Sequence, residues 1–217
     1  MKPFFAIARF LTGIILKLGG FRVFGRENIP KDGPLLVICN HVSFGDPLAM
    51  VNAFPRQLTF IAKEEFLHNP FTKILFSSLG VVFLQKSDND MVAMRVAMKE
   101  LKAGNVVAIF PEGTRHFDQN LGAFMPGAAY IAHRTGVKVL PMAVVNSGDY
   151  FRFWRRNIIL SIGEPIELSN NEKLSNDLLE VNTALFKERI KTLFDEACNV
   201  LQKEGRKMRL KKQKKTS

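Results

Sequence analysis

Two short segments of the sequence combine side chains that can perform catalysis. The first reads NHVSFGD from Asn40 to Asp46, so a carboxylate follows the imidazole of His41 by five residues. A turn through Gly45 would bring Asp46 to one ring nitrogen, where a carboxylate fixes the tautomer and favours the imidazolium as it forms. The other nitrogen could then take a proton from a substrate hydroxyl. A second interpretation stays open, in which Asp46 caps a helix beginning at Pro47 and His41 is an ordinary loop residue.

The second segment reads FPEGTR from Phe110 to Arg115 and follows an apolar run. Gly113 permits a tight turn and a close backbone approach. Thr114 offers a hydroxyl, and the planar guanidinium of Arg115 is suited to phosphate. Exposed backbone N–H groups here could also stabilise an oxyanion. The alternative is an ordinary β-turn with an exposed salt bridge.

Other chemical signals in the sequence are weaker. Lys63 and Lys86 each follow an apolar run and could reach a substrate phosphate, although either could be a surface lysine. His68, His116 and His133 lack metal-ligand spacing, so no metal site is predicted. Serine-hydrolase, Walker A and dinucleotide-binding motifs are absent from the sequence.

The elements that must position these residues alternate between strand-like and helix-like patterns. Strands are predicted at 35–39, 58–62, 81–84, 105–110, 137–145 and 158–162, and helices at 47–54, 70–79, 88–102, 126–135 and 177–204. This alternation predicts a single α/β domain with a largely parallel or mixed central sheet flanked by helices. The candidate segments directly follow strands, where the sites of open α/β sheets lie.

The first 20 residues form a strongly apolar stretch that Lys2, Arg9 and Lys17 interrupt. On a helical wheel these basic residues fall within an arc of about 80°. Such a stripe predicts an amphipathic helix lying on a membrane surface. Packing on the domain's own core and a true membrane span are the alternatives, and the span is disfavoured because Arg9 would lie at its middle.

The net charge of +11 is concentrated at one end of the chain. Residues 206–217 hold seven basic residues and no acidic one, which leaves +4 for the rest. A basic tail at 205–217 is therefore predicted beside a helix at 1–20 and a domain at 21–204. The tail suits anionic lipid or an acidic partner protein, and the alternative is a solvated, disordered end. Nucleic-acid binding is not expected, because that function needs basic residues spread over a folded face. Two cysteines fit a reducing compartment.

Taken together, in this order, the motifs resemble the glycerolphosphate acyltransferase superfamily, in particular its bacterial 1-acyl-sn-glycerol-3-phosphate acyltransferases. The resemblance runs from about residue 35 to 145. It is carried by the histidine and aspartate of NHVSFGD, KEEF at 63–66, GVVF at 80–83, FPEGTR at 110–115, PGAAYIA at 126–132 and VLPM at 139–142.

The resemblance implies that an acyl chain passes from acyl-CoA or acyl carrier protein to the free hydroxyl of lysophosphatidic acid, giving phosphatidic acid in phospholipid biosynthesis. His41 would act as the general base and Asp46 would orient it. Glu112, Gly113 and Thr114 would shape the site loop. Glu112 would either contact substrate or hold Arg115.

The resemblance also implies how the substrates are held. Arg115, with Lys86 and Lys63, would bind the acceptor phosphate, and Pro141 would belong to the wall of the acyl channel. No metal or bound cofactor is implied. A lipid acceptor implies an enzyme at the cytoplasmic face of the cell membrane, attached as a peripheral or monotopic protein.

Two positions depart from the family pattern. Lys86 stands where the family usually has an arginine, and Met125 stands where it usually has a lysine. Lysine keeps the charge but loses the bidentate fork of arginine. These departures favour, as the alternative, another lysolipid acceptor such as a lysophospholipid or an amino-acid lysolipid.

Overall fold

The computed structural model describes residues 3–63, 77, 80–84, 90–116, 118, 120–149, 157–169 and 173–206. Within them the strands are β1 (Arg22–Phe24), β2 (Leu35–Cys39), β3 (Leu58–Lys63), β4 (Val81–Leu84), β5 (Val106–Ile109), β6 (Lys138–Val145) and β7 (Ile159–Ile162). The helices are α1 (Pro3–Leu18), α2 (Asp46–Ala53), α3 (Asp90–Lys102), α4 (Gly127–Thr135) and α5 (Asn176–Lys203).

The seven strands form one mixed sheet in the order β1-β7-β6-β2-β5-β3-β4. Strand β2 lies parallel to both β5 and β6, and β3 lies parallel to both β4 and β5. Strand β7 runs antiparallel to β6, and β1 runs parallel to β7. The carboxyl ends of β2 to β6 therefore meet at one edge of the sheet. The predicted α/β class with a mixed sheet flanked by helices is confirmed.

Two hydrophobic clusters cover the two faces of the sheet. Alternate residues of β2 divide between them, because successive side chains of a strand point to opposite faces. Leu35 and Val37 join the first cluster, with residues of α1 and α2. Leu36 and Ile38 join the second cluster, with residues of α3, α4 and α5. Each fully buried Leu or Ile contributes about 1.5–3 kcal/mol, so the all-apolar β2 anchors both layers.

The predicted strands all appear, with ends shifted by at most one residue. Strand β1 was not predicted, because three residues, Arg22–Phe24, are too short to show a period. The helix predicted at 70–79 lies outside the described residues apart from Ser77. Residues 207–217 of the predicted tail also lie outside them, and the boundaries proposed at 1–20, 21–204 and 205–217 stay predictions.

Helix α1 packs its polar stripe against the body. Thr12 is buried and accepts a hydrogen bond from Asn52 Nδ2 at 3.0 Å. Gly13 also approaches Asn52, whose Oδ1 lies 2.7 Å from where a β-carbon on Gly13 would be. Burial, followed by the charge of Arg26, lowers the pKa of Arg9. The stripe predicted to face headgroups thus partly faces the protein.

The opposite face of α1 is apolar and exposed. Its side chains Ile7, Phe10, Leu11, Ile14 and Leu18 are 42–67% exposed. Packing on the domain's own core therefore accounts for only part of this helix, chiefly Leu16, which is 1% exposed. Among the described helices, none is long and apolar enough to cross a membrane.

Candidate active site

The catalytic pair predicted from the sequence is assembled at the carboxyl end of β2. His41 follows this strand, and the next residues turn so that Asp46 begins helix α2. His41 Nδ1 lies 2.6 Å from Asp46 Oδ2. The His41 side chain is 18% exposed, and the Asp46 side chain is fully buried. Among the residues that the structure describes, Nε2 of His41 has no hydrogen-bonding partner, so it can face a substrate.

Asp46 does not act as a helix cap, although its sequence position suits one. The backbone N–H groups of Val42 and Ser43 donate to Asp46 Oδ2 at 2.8 and 2.9 Å. The Ser147 hydroxyl donates to Asp46 Oδ1. With the His41 ring, this acceptor-only carboxylate therefore has four donors around it. The interpretation of Asp46 as a cap and of His41 as an ordinary loop residue is not supported by this geometry.

Two further contacts fix the backbone and ring of His41. The ring stacks on Phe110, with centroids 4.0 Å apart and planes 14° apart. The preceding Asn40 is fully buried, and its amide group exchanges two hydrogen bonds with the backbone of Val144 at 2.8 and 3.0 Å. This side chain ties the end of β2 to β6, so the histidine leaves the sheet from a fixed position.

Glu112 holds the backbone of the site. Its Oε1 accepts the N–H of His41 at 2.8 Å, and its Oε2 accepts the N–H of Gly122 at 2.8 Å. Burial raises the pKa of Glu112, while the hydrogen bonds from Gly122 and His41 act in the opposite direction. His116 Nε2 lies 3.4 Å from Oε2, and the His116 N–H donates to the His41 carbonyl at 2.7 Å. Glu112 therefore clamps the loop that carries Arg115 against the histidine.

Gly113, Thr114 and Arg115 continue this loop at the same edge of the sheet. Gly113 has φ 66°, the left-handed region that favours glycine, and its N–H donates to the Phe110 carbonyl at 3.0 Å. Thr114 is exposed. The guanidinium carbon of Arg115 lies 3.7 Å from the centroid of the Phe44 ring, a cation–π geometry. Because the Gly113 N–H serves the turn, it is not an oxyanion donor in this arrangement.

Residues 20–145, more than half of the chain, match the model of the family described as Acyltransferase. The chain belongs to this acyltransferase family. The match covers the histidine–aspartate turn, the FPEGTR loop and strand β6, which are the parts that the structure brings together. The predicted family is confirmed.

Similar proteins share one name. The chain is 32% identical over 163 residues to a 1-acyl-sn-glycerol-3-phosphate acyltransferase of Borreliella burgdorferi, covering 73% of this chain and 64% of that protein. It is 28% identical over 184 residues to the Bacillus subtilis protein of the same name, covering 83% and 92%. Across four of the curated relatives, the match spans 45–64% of the relative's own length.

A solved structure shares the fold. The chain superimposes with a TM-score of 0.64 on the crystal structure of the 1-acyl-sn-glycerophosphate acyltransferase PlsC from Thermotoga maritima. The identity is 26%, and the alignment covers 96% of this chain and 86% of that one. The structural similarity therefore extends beyond residues 20–145 to most of both chains.

Three predicted binding residues are not placed at the site by the structure. Lys86 lies outside the described residues, and only the backbone of Lys63, the last residue of β3, is described. Pro141 is buried in β6, paired with Ile38. It lines a cavity of about 590 Å³ between strand β7 and helix α5. The roles assigned to Lys63, Lys86 and Pro141 stay predictions.

The structure adds residues that sequence reasoning did not select. Ser147 lies in the turn after β6, whereas Asn40, Phe44 and Phe110 lie within the two motifs but received no predicted role. A signal existed for Ser147, because it follows a parallel strand at the edge where the other site residues lie. No pattern marked Gly122, whose N–H contacts a carboxylate ten positions earlier in the chain, at Glu112.

Among the residues that the structure describes, neither a cluster of metal ligands nor a reactive thiol lies at the site. Within the described ranges, no cluster of three or more His, Cys, Asp or Glu side chains could hold a metal ion. Cys39 is buried beside the site, and burial raises the pKa of its thiol well above the usual range. Burial likewise raises the pKa of Cys198 to about 11. Neither thiol is therefore ionised near neutral pH.

Proposed function

We propose that this acyltransferase moves a fatty acyl chain from acyl-CoA or acyl carrier protein to the free hydroxyl of lysophosphatidic acid, giving phosphatidic acid. The observation that carries the proposal is the contact of His41 Nδ1 with Asp46 at 2.6 Å. That contact leaves Nε2 to act as a base. Relatives that carry this activity in their names support the choice of acceptor.

The reaction proceeds by direct transfer. Nε2 of His41 accepts the proton of the acceptor hydroxyl while its oxygen bonds to the thioester carbonyl carbon. Asp46 stabilises the imidazolium that forms. The tetrahedral intermediate then expels the thiolate, which takes the proton from His41 and leaves as the free thiol. The residues and the two substrates complete the reaction, so no metal or cofactor enters the proposal.

Arg115 is suited to bind the acceptor phosphate. Its guanidinium is held on Phe44, which lies between His41 and Asp46 in the chain. The planar fork can bind a phosphate through two parallel hydrogen bonds. Burial lowers the pKa of Arg115, and the charge of Asp46 opposes this shift; arginine keeps its charge at any physiological pH. Lys86 and Lys63 are the further phosphate ligands in this proposal.

A second acceptor class is favoured by Met125. Its side chain is 46% exposed, and its sulfur and methyl carbon lie 3.1 Å from where a β-carbon on Gly113 would be. An apolar side chain thus stands beside the site loop where the family pattern has a lysine. This contact favours another lysolipid, such as a lysophospholipid or an amino-acid lysolipid, as the alternative acceptor.

The lipid acceptor places the enzyme at a bilayer. The exposed apolar side chains of α1, among them Phe10 at 67% and Leu18 at 62%, supply a surface that inserts at the headgroup boundary. We assign this attachment to the cytoplasmic face of the cell membrane, as a peripheral or monotopic protein. Transfer of the exposed apolar face of α1 from water to lipid supplies the binding energy.

The proposal is tested with wild type and His41→Ala, each given lysophosphatidic acid and a palmitoyl thioester while free thiol release is followed. Wild type should release thiol only with acceptor present, and His41→Ala should be slower by about 10²–10⁴-fold. His133→Ala, which removes a histidine of α4, is the matched control and should keep wild-type activity.

Two results would contradict the proposal. If wild type released thiol only with another lysolipid, the second acceptor class would replace lysophosphatidic acid. If folded His41→Ala matched wild type, the catalytic role of the histidine would be wrong.

A further inference from the structure

A groove lined mainly by basic side chains lies between helices α3 and α4. Its lining consists of Arg95, Met98, Lys99, Lys102, Tyr130 and Arg134, around a volume of about 350 Å³. Four of these six residues are basic and none is acidic. We refer to these six residues as the basic groove. Nothing in the proposed reaction uses it.

The charges of the basic groove are available to a partner. Arg95, Lys99, Lys102 and Arg134 are all exposed. Among the residues that the structure describes, no carboxylate pairs with any of them, whereas Lys138 and Lys191 each pair with an acid at 2.7 and 2.5 Å. Four uncompensated charges in one concave surface attract an anionic partner and raise its rate of encounter.

The shape of the charge row indicates an acidic protein segment. Arg95, Lys99 and Lys102 lie on one side of α3 at helical spacing, over about 10 Å of helix length. A row of this length matches several carboxylates on a helix, whereas a lipid headgroup offers one compact phosphate. The apolar lining from Met98 and the ring of Tyr130 suit a protein surface, which needs some apolar burial.

The basic groove also connects to the site loop. Helix α3 joins the parallel strands β4 and β5, so it begins at the active-site edge of the sheet. Met94 lies one turn before Met98, and its sulfur is 3.6 Å from where a β-carbon on Gly127 would be. Met125, two residues before Gly127, packs beside Gly113. Met94 therefore packs at the start of α4, next to the segment in which Met125 contacts the site loop.

The groove and the membrane helix lie on opposite faces of the sheet. Leu16 of α1 belongs to the cluster on one face, and Ala97 of α3 and Ala132 of α4 belong to the cluster on the other. When α1 rests on a bilayer, the basic groove is therefore separated from that bilayer by the sheet. This position favours a soluble partner over an anionic lipid.

We propose that the basic groove docks the protein carrier of the acyl donor, an acidic acyl carrier protein whose flexible thioester arm reaches the site past Met94 and Met125. This inference rests on the proposed acyl transfer and names its donor. The lipid acceptor then enters from the α1 face and the carrier docks on the α3–α4 face, so neither excludes the other.

The test compares Lys99→Glu/Lys102→Glu with Lys31→Glu/Lys203→Glu, which makes the same charge change at exposed positions outside the groove. Binding of labelled acyl carrier protein is measured by fluorescence anisotropy, and KM is measured for palmitoyl-acyl carrier protein and palmitoyl-CoA. We expect the groove variant to bind the carrier about tenfold more weakly, since charge reversal replaces attraction by repulsion. Its KM for palmitoyl-CoA and the behaviour of the control should stay within about twofold of wild type.

Each other result has a defined meaning. The docking site is overturned if wild type does not bind the carrier. It is also overturned if both variants lose carrier affinity equally or if neither loses any. An increase in the groove variant's KM for palmitoyl-CoA as large as that for palmitoyl-acyl carrier protein also overturns the docking site. The same holds if the groove variant loses binding to anionic vesicles while its carrier binding is unchanged. The milder Lys99→Gln/Lys102→Gln serves if the reversal variant does not fold. If wild type shows groove-dependent carrier binding but does not acylate lysophosphatidic acid, the docking site stands and the proposed acceptor fails.

Discussion

Replacing Ser147 by alanine removes one donor from the Asp46 carboxylate, which orients His41, the proposed catalytic base. The Ser147 hydroxyl donates to Asp46 Oδ1, and both residues are buried. Within the described part of the chain, Oδ1 receives no other hydrogen bond. The substitution therefore leaves a buried, charged oxygen without a donor while it removes only one atom from the packing.

The loss of stability in Ser147→Ala follows from the type of hydrogen bond that is removed. A hydrogen bond to a charged group contributes about 1.5–3 kcal/mol, and a buried acceptor left without its donor loses most of that. We expect the free energy of unfolding to fall by about 1.5–3 kcal/mol. With Oδ1 released, the carboxylate is held through Oδ2 alone, so it fixes the orientation of the His41 ring less strictly. Since each 1.4 kcal/mol is a factor of ten in rate, kcat should fall about tenfold. KM for both substrates should stay near wild type, because Ser147 is buried and the proposed mechanism gives it no substrate contact.

The assay measures unfolding by urea and thiol release under saturating substrates, with two comparison variants. Ser147→Thr keeps the hydroxyl and should restore most of kcat. Ser161→Ala removes another buried hydroxyl, from β7 and not bonded to Asp46, and should keep kcat. If Ser147→Ala lost stability but kept kcat, the bond to Asp46 would support the fold alone, and an orienting role for Ser147 would be refuted.

Three further substitutions test other contacts of the site. Glu112→Gln tests burial: because burial raises the folded-state pKa of Glu112, the folded protein keeps this proton where the unfolded chain has lost it. The unfolding free energy of wild type should therefore decline relative to that of the variant as pH rises from about 4.3 through the raised pKa. Urea titrations at a series of pH values measure this difference. The opposite trend would mean that the two N–H bonds to Glu112 lower its pKa more than burial raises it. Arg115→Lys loses the fork above Phe44 and should raise KM for lysophosphatidic acid about tenfold with kcat less affected; an unchanged KM would exclude a phosphate contact. Gly122→Ala places a β-carbon 2.1 Å from His116 Nε2, and should lower the melting temperature through a loss of about 1–3 kcal/mol, whereas unchanged stability would show that the histidine ring moves freely.

The sequence predicts the sheet well because its strands are apolar throughout. Strand β2 is buried at every position, and its run of five apolar residues needs no tertiary information to be recognised. Strand β1 is different. It has three residues, and it forms because β7 offers an edge beside it. Its pairing with Ile159, Leu160 and Ser161 joins segments more than 130 residues apart, which no local pattern encodes.

The contacts of the site are likewise of two kinds, those between residues close in the sequence and those between residues far apart in it. His41 and Asp46 lie within one turn of chain, so their spacing alone permits the contact that the structure has. Glu112 shares no local pattern with His41, yet its carboxylate accepts the His41 N–H across 71 residues. Parallel strands β2 and β5 are neighbours, and their carboxyl ends place the two segments side by side. The role of Glu112 could therefore be found only once the strand order was known.

The two carboxylates act on different parts of one histidine, and this division bears on the origin of the rate. Asp46 contacts the ring, Glu112 contacts the backbone N–H, and Phe110 covers the ring face. General base catalysis alone supplies about 10²–10⁴-fold, so the remaining acceleration must come from positioning and charge stabilisation. A ring held at its nitrogen, its face and its backbone needs little reorganisation when a hydroxyl arrives. In the proposed mechanism, the buried contacts around His41 therefore act by restricting its motion as well as by supporting its basicity.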